Sequence, residues 1–201
     1  MTEHLDDSSR PPSDPPADSA ARPEGAFGQR IRWVYLVGRP LSALLAGDLA
    51  EARYQTGLDL PEFFVSDQAR GLWRRRFEQV TAEPESAPWV ARAAVSEPDG
   101  AVVGYAGFHG PPDEVGMVEI GYTVVPEARR RGHARAMLRS LLERAAHEPD
   151  VRIVRVTITP DNAASLATIR GLHFVEVGEQ MDEEDGLEII FEVPADRILK
   201  T

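Results

Sequence analysis

Several residue types and segments are missing from this sequence, and each absence narrows its chemistry. The chain has no cysteine, which excludes disulfides, thiolate nucleophiles and cysteine-ligated zinc or iron–sulfur sites. No apolar run approaches the roughly 18 residues that a membrane-spanning helix needs. The N-terminus also lacks the basic and then apolar order of a signal peptide. We therefore expect a cytoplasmic protein, and the sequence alone does not fix its redox compartment.

Positive charge is scarce as well. The 22 Lys and Arg residues face 33 Asp and Glu residues, which gives a formal net charge of −11. A chain of this charge is repelled by nucleic acid phosphates and by anionic membrane surfaces, so we expect neither as a partner. The run Arg74 to Arg76 does not change this expectation, because helical spacing spreads the three side chains around a solvated helix face.

The composition predicts one globular domain behind a disordered tail. The chain has 201 residues, 42% of them hydrophobic, which is typical of a single domain. Residues 1–28 are rich in Pro, Ser and Asp, and besides Met1 their only large apolar side chains are Leu5 and Phe27. Such a segment cannot bury enough surface to offset its ordering entropy. We predict the folded domain over 29–201, and a partner-binding role for the tail stays open.

Apolar spacing predicts an α+β domain. Period-two patterns indicate strands near 31–37, 89–95, 101–108, 117–125, 152–159, 172–178 and 187–193. Helical spacing indicates helices within 41–52, 66–80, 132–147 and 161–170. This order predicts a mixed central sheet with helices on both faces.

The most informative stretch is EIGYTVVPEARRRGHARAMLRSLLERA, residues 119–146. A strand ends at Pro126, an arginine-rich loop follows, and a helix begins near Gly132. Free backbone N–H groups and the positive end of the helix dipole make such a start suitable for a phosphate or pyrophosphate. The loop lacks both the GKS/T ending of a nucleoside-triphosphate loop and the GxGxxG of a dinucleotide fold.

The loop Arg129-Arg130-Arg131-Gly132-His133-Ala134 resembles the Arg/Gln-x-x-Gly-x-Gly/Ala cofactor loop of the GNAT acyltransferases. The flanking strand and helix, the strand RIVRVTITP and the segment that starts at Asn162 keep that family's order. The sequence is most similar to the RimJ/RimL-like branch, whose members acetylate protein N-termini or small amines. The resemblance implies a GNAT-like single domain in which splayed strands form the cofactor cleft.

The resemblance also implies acetyl-CoA as the co-substrate. Backbone groups at the end of the strand would pair with the pantetheine arm, the loop would hold the pyrophosphate, and the start of the next helix would contact the arm. The residues so assigned are Thr123, Val124, Val125, Arg129, Arg130, Arg131, Gly132, His133, Ala134, Arg135, Asn162 and Ser165. Asn162 also fits a helix N-cap. The histidines show no metal-ligand spacing, so we expect no metal.

Three side chains are candidates for proton transfer. Glu119 is the first choice as base, because it lies on one face of an apolar strand where burial would suit a base working near neutral pH. His109 at the end of the strand GYAGFH is a second base. Many family members place a tyrosine where this chain has Ile169, which leaves Ser165 as the nearest hydroxyl by motif position.

The expected reaction is direct attack of a primary amine on acetyl-CoA, with a small cationic amine or a protein N-terminus as acceptor. A cluster of acids in the last hairpin favours a cationic acceptor: Glu179, Asp182, Glu183, Glu184, Asp185 and Glu188. Two alternatives stay open, namely a non-catalytic acyl-CoA-binding or regulatory module of the same fold and an enzyme for longer acyl groups. A homodimer also stays open.

Overall fold

The structure is a computed structural model that describes residues 29–183 and 186–198. The predicted tail, residues 1–28, lies outside the described residues, as do Glu184 and Asp185 of the acidic cluster. Within the described ranges, no helix is both long and apolar enough to cross a bilayer.

The core of the fold is an open seven-stranded sheet in the order β1-β2-β3-β4-β5-β7-β6. Only the β4–β5 pair is parallel, and the other neighbours are antiparallel. The strands are β1 (Ile31–Tyr35), β2 (Arg92–Ser96), β3 (Val102–Phe108), β4 (Met117–Val124), β5 (Ile153–Ile158), β6 (Val175–Asp182) and β7 (Gly186–Pro194). The predicted mixed sheet is therefore confirmed.

Two strands begin later than the sequence predicted. The strand expected from residue 89 begins at Arg92, because Trp89 lies in a turn where its amide donates to the Ser86 carbonyl at 2.9 Å. The strand expected from residue 172 begins at Val175, because Gly171 and His173 adopt positive φ angles of 74° and 61°. Left-handed residues interrupt an extended strand.

Within the described residues, six α-helices accompany the sheet: α1 (Arg39–Ala46), α2 (Leu49–Thr56), α3 (Asp67–Ala82), α4 (His133–His147), α5 (Ala163–Ile169) and α6 (Ala195–Ile198). The predicted pattern over 41–52 forms two helices rather than one. Gly47 ends α1 in the left-handed conformation, and the Asp48 side chain caps α2 by accepting from the Glu51 amide at 2.9 Å. Ser66 caps α3 in the same way through the Ala69 amide.

Helices cover both faces of the sheet, as predicted. On one face, Trp73 of α3 meets Tyr105 of β3 with ring centroids 4.8 Å apart. On the other face, Trp33 of β1 donates its indole N–H to the Ser140 hydroxyl of α4 at 2.8 Å. Tyr105 and Trp33 point oppositely, because Trp33 is in register with Ala94 and Ala94 with Gly104, the neighbour of Tyr105.

The sheet opens between its two parallel strands. β4 and β5 are in register only from Met117↔Ile153 to Glu119↔Arg155. Beyond that point β4 stays paired with β3, while Val156 to Ile158 of β5 stay paired with β7. The splayed strands that the sequence predicted are thus present, and they leave a cleft that faces the start of α4.

Candidate functional site

A cavity of about 690 Å³ fills this cleft. Its walls come from the end of β4, the loop before α4, the first turn of α4 and helix α5. Ten of the twelve residues that the sequence assigned to acetyl-CoA line it: Thr123, Val124, Arg129, Arg130, Gly132, His133, Ala134, Arg135, Asn162 and Ser165. The other two, Val125 and Arg131, lie outside the lining.

The start of α4 offers this cavity backbone donors that have no partner among residues 29–183 and 186–198. Gly132 occupies the N-cap position at φ 84° with no side-chain capping bond. The helical ladder begins only where the Ala136 amide donates to the Gly132 carbonyl at 3.1 Å, so the amides of 133–135 precede it. Arg130 adopts a positive φ of 60°, which is strained for a residue with a side chain. This geometry suits a diphosphate approaching close to the backbone.

Two arginine side chains also connect parts of the cleft, Arg129 in the loop and Arg135 in the first turn of α4. The Arg129 Nε donates to the Val124 carbonyl at 3.2 Å. Arg135 uses one guanidinium nitrogen to donate to the carbonyls of Thr168 and Arg170 at 3.1 and 2.9 Å, which ties the start of α4 to the end of α5. Arg131, by contrast, is exposed outside the cavity.

The backbone of β4 faces the cleft at alternate residues. The Val125 amide donates to Val103 at 3.0 Å, and the Glu119 carbonyl accepts from His109 at 2.8 Å. The odd-numbered residues of this segment therefore direct their backbone N–H and C=O groups to β3. The even-numbered residues Tyr122 and Val124 direct theirs to the gap. The Val125 amide, which the sequence assigned to the pantetheine arm, is thus already paired with β3, while the pantetheine contacts of Thr123 and Val124 stay predictions.

Helix α5 closes the cavity through its first turn. The Asn162 side chain accepts from the Ser165 amide at 3.0 Å, so the N-cap role of Asn162 is present. Its contact with a pantetheine arm stays a prediction. Ile169 is buried at the position where the family often has tyrosine, and it supplies no hydroxyl.

A second, smaller cavity of about 210 Å³ lies between α3 and the sheet. It shares Gln68, Tyr122 and Thr123 with the larger cavity, so the two spaces meet beside β4. Its other lining residues are Leu72, Trp73, Arg75, Arg76, Ala91, Tyr105, Ala106, Gly107, Phe108, His109 and Gly121.

His109 and Glu119 are brought together at this second cavity. The His109 Nδ1 lies 3.7 Å from the Glu119 Oε1, within ion-pair range but longer than a hydrogen bond. The same Glu119 oxygen accepts from the Thr157 hydroxyl at 2.7 Å. The Glu119 side chain is only 18% exposed and does not line the cavity. From the cavity inwards, the His109 imidazole therefore comes first, the Glu119 carboxylate second and the Thr157 hydroxyl third.

Gly121 makes room for the imidazole. A Cβ atom placed on Gly121 would lie 2.9 Å from the His109 Nε2, closer than such contacts occur in proteins. Any larger residue at this position would displace the imidazole from its place in the cavity wall.

The surroundings of His109 favour its neutral form. Loss of hydration where the protein packs around the ring lowers the pKa of His109, and the positive charges of Arg76 and Arg75 lower it further. The Glu119 carboxylate acts in the opposite direction. The net direction is downward, so the imidazole is able to accept a proton near neutral pH.

Sequence reasoning missed the contribution of α3. Arg75 and Arg76 line the second cavity. Arg75 is exposed, as the sequence predicted, whereas Arg76 is partly buried. The signal was present in Gln68, Leu72 and Arg76, which recur at helical spacing. Nothing in the sequence showed that β3 and β4 lay opposite that face.

The chain was compared with known proteins. A family model described as "Acetyltransferase (GNAT) domain" matches residues 41–175, about two thirds of the chain. This chain belongs to the GNAT acetyltransferase family. The expected family is therefore confirmed.

Two relatives match parts of this GNAT chain. An uncharacterized N-acetyltransferase, YjdG, from Bacillus subtilis is 34% identical over 74 residues, which are 37% of this chain and 44% of that protein. A mycothiol acetyltransferase from Thermomonospora curvata is 42% identical over 94 residues, 45% of this chain and 29% of that protein. The matches span less than half the length of either relative.

Among solved structures, Mycobacterium smegmatis RimJ in complex with CoA-disulfide has a similar fold. The TM-score is 0.59 at 19% identity, over 85% of this chain and 87% of that chain. This likeness confirms the RimJ/RimL-like architecture at the level of the fold. Within residues 29–183 and 186–198, no group of three His, Asp or Glu side chains is placed to hold a metal ion.

Proposed function

We propose that this GNAT domain transfers the acetyl group of acetyl-CoA to a primary amine. The observation that carries the proposal is the meeting of two cavities at Tyr122 and Thr123. The larger has the unpaired helix start and the open strand edge that suit a CoA diphosphate and pantetheine arm. The smaller has a neutral imidazole at its wall, where an acceptor amine would lose its proton.

We assign the base to His109 and give Glu119 the role of a positioning residue. Acetyl-CoA supplies the activated thioester when it is bound. The neutral amine forms the new C–N bond at the thioester carbonyl, the C–S bond breaks, and the proton leaving the amine goes to the His109 imidazole. The Glu119 carboxylate behind the ring stabilises the imidazolium, and Thr157 fixes that carboxylate through its hydroxyl.

Among the hydroxyl residues that line the cofactor cavity, Ser165 is our candidate donor to the departing thiolate. Ser165 lines that cavity and stays our prediction for a hydroxyl near the sulfur, since Ile169 offers none. A thiolate is a good leaving group, so we expect this donor to matter less than the base. The catalytic candidates are therefore His109, Glu119 and Ser165, in falling order of their expected effect.

The acceptor is a primary amine in this proposal, either a small cationic amine or a protein N-terminus. The acidic cluster of the last hairpin led the sequence analysis to favour a cationic acceptor. Within the described ranges, no residue of that cluster lines either cavity. The partners expected from the sequence, a small amine or a peptide, would reach the thioester through the smaller cavity in this proposal. A cytoplasmic location and a homodimer stay predictions from the sequence.

The proposal is tested by thiol release. Purified full-length protein is mixed with acetyl-CoA and a panel of amines and peptides, and free CoA is followed with a thiol reagent, while calorimetry measures acetyl-CoA binding. Amine-dependent thiol release with formation of the acetylated amine supports the proposal.

The two alternatives give different results in the same assay. Acetyl-CoA binding with no turnover across the panel favours the non-catalytic module. Faster turnover with butyryl-CoA or longer donors than with acetyl-CoA favours an enzyme for larger acyl groups.

A further inference from the structure

The smaller cavity carries an excess of positive charge on its α3 wall. Arg75 and Arg76 both line it, one helical turn from Leu72 and two from Gln68. Within the described ranges, no Asp or Glu lines the cavity. The Glu119 carboxylate lies beside His109 and does not line the cavity. A molecule that enters therefore meets guanidinium groups before it meets an acid.

Arg76 is held beside the catalytic ring. Its NH1 donates to the backbone carbonyl of His109 at 3.0 Å and to the Gln79 Oε1 at 2.7 Å. Gln79 in turn donates to the same His109 carbonyl at 2.6 Å. Among the described residues, both hydrogen bonds of Arg76 use this one nitrogen. These bonds fix the planar guanidinium group of Arg76 next to the end of β3, at the wall of the smaller cavity.

The environment of Arg76 is costly for a cation. The residue is partly buried, and burial together with the neighbouring charge of Arg75 lowers the pKa of Arg76 to about 10, while Glu119 raises it. Arg76 stays charged at neutral pH. Arg75 beside it is exposed, so the buried charge to be compensated is that of Arg76, and a carboxylate bound at the Arg76 guanidinium would offset part of its burial cost.

We propose that the acceptor is a primary amine whose molecule also carries a carboxylate, bound by Arg76 with Arg75 beside it. This inference rests on the proposed acetyl transfer and narrows its acceptor. The amine would lie at His109, and the carboxylate would lie at the guanidinium that holds the His109 backbone. The same wall repels an acceptor that carries several positive charges.

Two sources of such a carboxylate are distinguishable: a free amino acid and a peptide with an acidic side chain near its N-terminus. The experiment therefore uses two matched pairs of acceptors. L-alanine is compared with L-alaninamide, and a peptide beginning Ala-Asp is compared with one beginning Ala-Asn. Each pair differs in a carboxylate but keeps its shape. The readout is the ratio of kcat/KM within each pair, with spermidine as a polycation.

The variants are Arg76→Gln, Arg75→Gln and Arg76→Lys. Arg74→Gln is the matched control, because Arg74 is exposed on the same helix and does not line the cavity. We expect the wild-type protein to prefer the carboxylate member of at least one pair by about 10-fold or more, as charge-assisted bidentate contacts allow. Arg76→Gln should bring that ratio close to one, and Arg75→Gln should reduce it.

Arg76→Lys keeps the charge but loses the fork, so it should retain only part of the preference. Arg74→Gln should leave the ratio unchanged. Because the ratio compares two acceptors on one variant, a general loss of activity through His109 does not imitate the expected result.

Each outcome decides one question. A preference in the amino acid pair alone assigns a free amino acid, and one in the peptide pair alone assigns an acidic N-terminus. Acetyl transfer with ratios near one, or faster transfer to spermidine, overturns the carboxylate inference and leaves the proposed function standing. Acetyl-CoA binding without transfer to any acceptor overturns the proposed function itself.

Discussion

At the scale of residues, the site depends on the stacking of His109, Glu119 and Thr157 from three different strands or strand ends. Of these three, only the imidazole lines the smaller cavity, and in the proposed mechanism the carboxylate acts through it. The sequence identified both side chains as bases but ranked Glu119 first. Their order was not predictable, because it depends on which group lies nearer the cavity, and that is set by the packing of α3.

The roles of the two residues are separable by the pH dependence of kcat. His109→Gln should lower kcat by about 10²-fold and remove the acidic limb. In the wild-type protein that limb should lie below the ordinary histidine pKa of 6.5, because the pKa of His109 is lowered. Glu119→Gln removes the charge that raises this pKa, so the limb should move to still lower pH. Loss of the limb in Glu119→Gln would instead make Glu119 the base.

Gly121 offers a test of ring placement without touching the ring. Gly121→Ala should push the His109 imidazole away from β4, since the new Cβ would lie 2.9 Å from its Nε2. We expect kcat to fall by about 10-fold or more with acetyl-CoA affinity kept. Gly178→Ala is the matched control, because Gly178 is also in a strand and nothing lies within 4 Å of its Cβ position. Equal kcat in both variants would remove the ring from the reaction.

At the scale of elements, the sequence predicted best where local chemistry decides. Helix α4 begins one residue after the predicted start and ends at the predicted residue, because Gly132 and the apolar spacing mark its limits. The division between α1 and α2 was missed, although Gly47 and Asp48 are a helix end and a helix cap side by side. Apolar periodicity ran through both helices and hid the break.

The loop before α4 is tested by replacing its cap. Gly132→Val places a branched side chain where the diphosphate would approach the backbone, so the Kd for acetyl-CoA should rise by about 10-fold or more. The positive φ of 84° also strains this variant. Gly57→Val is the matched control for that strain, because Gly57 has a φ of 66° and open space around its Cβ position. Calorimetry on both variants, with melting curves to confirm folding, separates lost binding from lost stability.

At the scale of the whole molecule, the predicted fold class, sheet type and splayed cleft are all present. These follow from the order of strands and helices and from the family resemblance. The smaller cavity was beyond sequence reasoning, because α3 and the end of β3 are more than 25 residues apart in the chain. Their contact, such as that of Arg76 with the His109 carbonyl, follows from the packing of Trp73 on Tyr105.

Acetyl-CoA should stabilise the whole domain if it joins β4, α4 and α5. A ligand that binds only the folded state at 100 times its Kd adds about 2.7 kcal/mol. For a domain of this size, that corresponds to a rise in Tm of about 5–10 °C. Scanning fluorimetry with acetyl-CoA measures the shift, and Gly132→Val at the same concentration should show a much smaller one. An unchanged Tm at saturating acetyl-CoA would contradict a site that spans these elements.

The gap between β4 and β5 also divides the sheet into two parts, β1–β4 and β5–β7. Three register positions, Met117 to Glu119 with their partners, are the sheet's own connection between β1–β4 and β5–β7. The sheet therefore has its fewest backbone connections along the cleft, and the backbone amides of Tyr122 and Val124 border it. Without ligand, these amides should exchange with deuterium sooner than those that pair β4 with β3. A co-substrate lying in the gap would take the place of a strand between β4 and β5. Deuterium exchange of the amides on both sides of the gap should then slow, and the two parts of the sheet should behave as one.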